Sequence, residues 1–181
     1  MTRRSVGIVG RKRSGKDTIG GTLVRDFGYT RLAFADPLKS LAYSAGPLVQ
    51  SGEPLAAVVD RYGWEAAKDR YPEIRRFLQE LGVGVRDTLG PDAWIKNLTD
   101  RVRLVHGPVV VPDVRFLNEA DELRARGFVI LRVTRPGLVD TDRHVSETES
   151  DAIRADLTVR NDDTPDALAD HIHQLVKEYV L

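Results

Sequence analysis

Nine consecutive residues, Gly10-Arg11-Lys12-Arg13-Ser14-Gly15-Lys16-Asp17-Thr18, have the types and spacing to hold a polyphosphate. When a Gly-x-x-x-x-Gly-Lys segment joins a strand to a helix, its backbone N–H groups, the positive helix end and one ammonium converge on the same anion. Gly10 and Gly15 permit backbone angles that a Cβ resists. Arg13 and Ser14 lie inside the loop as nucleotide-binding candidates, and Lys16 can reach the outer phosphates. Asp17 stands where the common pattern has Ser or Thr, and the hydroxyl comes one place later, at Thr18. Thr18 is the expected hydroxyl near Mg²⁺ or phosphate. Asp17 either holds Mg²⁺ through water or only favours the helix N-terminus electrostatically, and the residues leave both open. The plainer reading of Arg11, Lys12 and Arg13 is a basic surface turn, but a turn would not require both glycines.

Further candidates lie downstream. Asp113 ends an apolar run and could position Mg²⁺ or the attacking group, or could cap the following helix. Arg115, two residues on, suits a phosphate clamp. Arg86 follows Gly82-Val83-Gly84, read as a glycine-rich bend that brings the guanidinium towards a ligand. In Arg143-His144-Val145-Ser146-Glu147, Arg143 has the strongest case, because phosphoryl transfer needs positive charge near the equatorial oxygens. His144 could act as a catalytic base, while the commoner reading of such a residue is a hydrogen-bonded structural histidine. His171 and His173 point apart on one helix and are not read as metal ligands, and Trp64 and Trp94 read as core.

These residues require particular elements to position them. Residues 5–9 read as a strand, 10–15 as the loop and about 15–27 as a helix, with Gly28 after its end. Tyr29 to Ala35 reads as a second strand, and Asp36-Pro37 as the N-cap and first residue of a helix. From about 36 to 106 the chain reads as mainly helical, broken at Gly46-Pro47, Glu53-Pro54, Gly63, Tyr71-Pro72 and Gly90-Pro91. Ile74, Phe77, Leu78 and Leu81 share one helical face, as do Trp94, Ile95, Leu98, Val102 and Val105. Pro108–Val111, Phe128–Thr134 and Ala155–Arg160 read as strands, Phe116–Arg126 as a helix, and Thr164-Pro165 as the cap of the last helix. Gly137–Asp151 is polar and charged, and reads as a lid. Alternating strands and helices predict a parallel sheet whose ligands bind at the carboxyl ends of strands. The loop, Asp36, the Asp113–Arg115 turn and the lid are all expected on that edge.

Composition bounds the remaining classes. The chain has 181 residues, 41% hydrophobic and 30% charged, enough for one domain with a sizeable core. A net charge of zero gives no reason to expect nucleic-acid or membrane binding. Without cysteine, disulfides and thiolate metal sites are excluded. No apolar run approaches the roughly 20 residues of a membrane span, and no signal-peptide core is visible, so a cytoplasmic protein is expected.

Taken together, GRKRSGKDT (10–18), FADPLK (34–39), LQELGVGVRD (78–87), DAWI (92–95), VVVPDVRFLNEA (109–120) and RHVSETES (143–150) make the chain resemble the bacteriophage deoxynucleoside monophosphate kinases, within the P-loop nucleoside-monophosphate kinase group. The resemblance implies a single domain over 1–181: a P-loop NTPase-type three-layer α/β sandwich with a five-stranded parallel sheet, a helical acceptor-binding insertion over about 36–106 and a lid over about 137–151. It implies transfer of the ATP γ-phosphate to a deoxynucleoside 5′-monophosphate, giving dNDP and ADP for DNA precursor synthesis, with Mg²⁺ held by Asp17, Thr18 and Asp113. Lys16, Arg115, Arg143 and Asp17 would be catalytic. Asp36, Lys39, Arg86, Asp113, Arg115, His144 and Glu147 would hold the acceptor, and Asn161 would contact the adenine. Partners would be small molecules alone, with a homodimer compatible, in the host cytoplasm if a phage encodes the chain. Two alternatives are a P-loop kinase for another small acceptor, such as dephospho-coenzyme A or phosphomevalonate, and a non-enzymatic nucleotide switch.

Overall fold

A computed structural model describes residues 3–138 and 145–179, with the backbone alone for 145–148. In chain order the elements are β1 (Val6–Val9), α1 (Lys16–Phe27), β2 (Thr30–Arg31), α2 (Ala35–Ala45), α3 (Leu55–Arg70), α4 (Pro72–Leu89) and α5 (Ala93–Arg103). They continue with β3 (Val109–Val114), α6 (Leu117–Ala125), β4 (Val129–Thr134), α7 (Val145–Ala152), β5 (Leu157–Arg160) and α8 (Pro165–Tyr179). Two compact units result: a sheet unit, Met1–Ala33 with Leu98–Leu181, and a helical unit, Phe34–Asn97.

In the sheet unit five parallel strands run in the order β2-β3-β1-β4-β5. Unbroken apolar runs are what a strand covered on both faces requires, and every residue of β1 is buried. One face packs Val6 and Ile8 against Ile19 and Leu23 of α1 and against Leu168 and Ile172 of α8. On Gly7 a Cβ would lie 2.9 Å from both Ile130 Cδ1 and Leu123 Cδ1, so the missing side chain lets α6 approach β1 closely. Register is regular between β1 and β4, whereas towards β3 Gly7 faces Val111 and Val9 faces Val114. Two steps along β1 therefore span three along β3, a bulge at Pro112 and Asp113.

Helix ends follow local chemistry. Gly28 and Gly46 take left-handed angles (φ 71° and 59°) as C-caps. The Thr164 hydroxyl accepts the Ala167 N–H at 3.2 Å, capping α8. Where α1 meets α8, the Arg25 guanidinium and then the His173 ring, 2.9 Å away, hold the Asp26 carboxyl down at about 2 from its usual 3.8. A carboxylate depressed in the folded state contributes stability that is complete above its unfolded pKa and is lost as pH falls through the folded one. Arg25 adjoins Asp26 in the unfolded chain too, so the fold-specific share is the His173 contact. Denaturant titrations of Asp26→Asn should accordingly lose stability less steeply than the parent between about pH 4 and pH 2; parallel curves would remove this contact from the acid limb.

In the helical unit Leu55, Val58, Val59, Ala67, Ile74 and Leu78 form the core. The expected breaks at Gly46-Pro47, Tyr71-Pro72 and Gly90-Pro91 separate its helices, and Gly63 (φ 73°, ψ 163°) kinks α3.

Three expectations are corrected. The strand expected over 29–35 contracts to Thr30–Arg31, because Leu32, Ala33 and Phe34 are buried as the chain leaves the sheet, Phe34 already having helical angles. Phe34 is consequently the N-cap of α2, and Asp36 lies inside the first turn. Gly82-Val83-Gly84 is not a bend but part of the continuous α4. Burial of Ile74 and Leu78 on one face outweighs the cost of about 1 kcal/mol per helical glycine, and the Trp94 indole N–H donates to the Gly82 carbonyl at 3.1 Å.

Candidate active site

The loop between β1 and α1 is built for close approach. On Gly10 a Cβ would lie 2.5 Å from the Val133 carbonyl oxygen of β4, and on Gly15 2.6 Å from Asn161 Nδ2. Gly15 is the N-cap of α1 in left-handed conformation (φ 107°) with no side-chain capping bond, so no cap side chain occupies the first-turn amides. Arg13 has φ 62°, a conformation that L side chains avoid, and thus helps fold successive amides into a concave nest. Lys16 Nζ donates to the carbonyls of Gly10 at 2.5 Å and Arg11 at 2.7 Å, which keeps the ammonium curled over the loop. Asp17 is exposed and Thr18 half-buried on the first turn. Ser14 is 1% exposed, and its Oγ has no hydrogen-bond partner among the described residues.

Next to this loop in the sheet, β3 carries half-buried Asp113 one residue before its end, followed by exposed Arg115. Phe116, not Asp113, is the N-cap of α6. The bend is fixed by Glu119, 3% exposed, whose Oε2 accepts the N–H of Arg115 at 2.8 Å and of Phe116 at 3.1 Å. The sequence signal for Glu119 is its place three residues into the helix, the carboxylate half of a capping box. Several contacts anchor the late part of the stretch read as a lid, among them the Leu117 N–H donating to Glu149 Oε2 at 3.4 Å. Arg11 pairs with Asp151 at 2.8 Å, and Arg132 of β4 donates to the carbonyls of Ser150, at 3.0 Å, and Ile153. From sequence Arg11 reads only as part of the loop and its basic turn, and Arg132 only as a residue of the fourth strand. Arg143 and His144 lie outside the described residues, as does the Glu147 side chain.

Asn161 directly follows β5, is 6% exposed, and donates from Nδ2 to the Ser14 carbonyl at 2.8 Å. Within the helical unit, Asp36 is in the first turn of α2. Lys39 Nζ lies 3.8 Å from Glu65 and 5.8 Å from the centre of the Trp64 ring. Arg86 occupies the last turn of α4, where a cation complements the helix dipole.

Residues 64–172 match the family model for deoxynucleotide monophosphate kinase. The chain belongs to the deoxynucleotide monophosphate kinase family. A protein of Acanthamoeba polyphaga mimivirus, named as a candidate for the same kinase, is 30% identical over 175 residues, covering 88% of this chain and 89% of its own. The deoxynucleotide monophosphate kinase of Escherichia phage RB69 is 30% identical over 109 residues, 58% of this chain and 45% of that protein. Among solved structures, a shikimate kinase from Aquifex aeolicus superposes with a TM-score of 0.52 at 14% identity, over 98% of both chains. TT1252 from Thermus thermophilus gives 0.50 at 19% identity, again over 98% of both. At these identities the likeness concerns the fold: an α/β parallel sheet with covering helices.

As a member of the deoxynucleotide monophosphate kinase family, the chain implies ATP as co-substrate. The glycine clearances and the uncapped amides of α1 fit a phosphate chain. Among the described residues no group of three or more His, Asp or Glu could hold a metal unaided. Thr18, half-buried, and Asp17, exposed, on the first turn of α1 and half-buried Asp113 on β3 offer the few oxygen donors that Mg²⁺ takes from a protein, the rest coming from phosphate and water. His173 is engaged by Asp26.

Proposed function

We propose that this kinase binds the ATP phosphates in the Gly10–Thr18 loop and a deoxynucleoside 5′-monophosphate on the helical unit, and joins them by in-line phosphoryl transfer. The carrying observation is the loop itself: a left-handed glycine cap that leaves first-turn amides open, with Lys16 as the first helical residue. An acceptor phosphate oxygen attacks the γ-phosphorus, the bond to the β–γ bridging oxygen breaks, and ADP departs. Such a reaction needs alignment and charge neutralisation more than covalent help.

Lys16 and the nest amides neutralise the transferring group, with Arg13 shaping the nest. Arg115, set by Glu119 after β3, and Arg143 supply further charge near the equatorial oxygens. Asp36, Lys39 and Arg86 serve the acceptor, joined by Asp113, His144 and Glu147. Thr18, Asp17 and Asp113 would hold Mg²⁺, which when bound offsets phosphate charge. An ionised monophosphate is nucleophilic near neutral pH, so no general base is assigned. The two units act as one kinase domain in the cytoplasm, with small molecules as partners.

A panel of acceptors with ATP and Mg²⁺ tests this reading. ADP should form with at least one of dAMP, dGMP, dCMP or dTMP, and not with dephospho-coenzyme A or phosphomevalonate. Turnover confined to the latter compounds, or none on any dNMP, would reject it.

A further inference from the structure

We propose that Asn161 is a positioning residue of the phosphate loop, its buried carboxamide orienting the peptide that aims the Gly15 N–H at the nucleotide phosphates. The inference rests on the loop being the ATP phosphate site. Asn161 is itself fixed where β5 ends, its backbone N–H donating to the Thr134 carbonyl at 2.7 Å. From there Nδ2 reaches the Ser14 carbonyl at 2.8 Å, across 147 residues of sequence. The Ser14 carbonyl and the Gly15 N–H belong to one planar trans peptide and point in opposite directions. Pinning the oxygen towards the buried side therefore turns the amide hydrogen the other way, towards the concave face of the nest.

Two neighbouring facts support this assignment. A Cβ on Gly15 would lie 2.6 Å from Asn161 Nδ2 and 2.9 Å from Leu168 Cδ2, so the glycine leaves the room that the carboxamide occupies. The Ser14 hydroxyl, without a hydrogen-bond partner among the described residues, does not tether the loop. The local tie on this peptide's preceding amide, Ser14 N–H to the Arg11 carbonyl at 3.2 Å, spans only three residues and moves with the loop. Asn161 thereby connects the loop to the rigid end of the sheet.

Asn161→Asp keeps size and shape but replaces the donor by an acceptor, setting carboxylate oxygen against carbonyl oxygen. Asn161→Ser shortens the reach. Binding of ATP and of inorganic tripolyphosphate, which has no base, is measured by calorimetry for both variants and the parent, alongside thermal melting and steady-state kinetics. Both variants should bind tripolyphosphate and ATP about tenfold or more weakly, in equal proportion, as expected when one buried carbonyl loses its donor. The KM for the monophosphate should stay unchanged.

Weaker ATP binding with unchanged tripolyphosphate binding would make Asn161 a contact to the base and overturn the proposal. A lower melting temperature with unchanged tripolyphosphate binding, or failure of both variants to fold, would assign the residue to the fold alone and overturn it equally. A parent chain that binds ATP but no tripolyphosphate would instead take down the loop reading, and this inference with it.

Discussion

Lys16→Ala should lower kcat by about 10³-fold or more while leaving the fold intact, the scale seen when a charge on the transferring phosphoryl group is withdrawn. The ammonium stands at the first residue of α1 and bonds the carbonyls of Gly10 and Arg11. Removing it strands no buried donor, and those carbonyls sit on a loop open to water, so melting should move little. ATP affinity should fall less than kcat, because the nest amides still bind the phosphates, whereas the lysine counts most when charge spreads over the transferring group. Lys16→Arg should not rescue, since a planar guanidinium is broader than an ammonium and cannot settle over the same two carbonyls. Turnover near that of the parent in Lys16→Ala, measured as ADP formed per enzyme, would remove the phosphate-loop assignment.

Gly10→Ala should also be severe, for a steric reason. The added methyl would lie 2.5 Å from the Val133 carbonyl oxygen and 2.9 Å from Ser14 Oγ. The first neighbour is backbone within the sheet, where β4 is paired to both β1 and β5, so the loop must give way. A displacement of that order is expected to reduce kcat/KM by about 10²-fold, with about 1–3 kcal/mol lost in denaturant titrations from overpacking. Gly21→Ala is the matched control: it lies in the middle of α1, and a Cβ there meets nothing within 4 Å. It should be neutral, or more stable by about 0.5–1 kcal/mol through better helix propensity. Equal behaviour of the two variants would show that clearance at Gly10 does not matter.

How legible each part was in the sequence depends on how local its cause is. Helix ends at Gly28, Gly46 and Tyr71-Pro72 could be read because glycine and proline act on their own backbone. Buried Leu32, Ala33 and Phe34 misled the reading, since an apolar run records burial rather than extension. Gly82 and Gly84 misled it in the opposite sense, because packing of the Ile74 and Leu78 face overrode their weak propensity. In the site, Lys16 and the loop glycines were visible as a motif, but their long-range supports were not. Asn161 bonds the Ser14 carbonyl across 147 residues, and Arg11 pairs with Asp151 across 140. Only folding reveals such pairs: the loop is legible as a motif and Asn161 as a candidate, but the contacts that join the loop to Asn161 and Asp151 are not.

The bulge in β3 has a consequence for chain length. Between Val111 and Val114 the strand contains one residue more than β1 needs to match it, and one of the intervening pair is Pro112, which has no N–H to offer a ladder. Deleting Pro112 would even out the pairing, with Asp113 alone between the Gly7–Val111 and Val9–Val114 pairs, and would remove the bulge that bends the strand there. The bend and the extra residue thus set where Asp113 and Arg115 leave the strand. This stretch of the protein should therefore tolerate a change of residue type far better than a change in the number of residues.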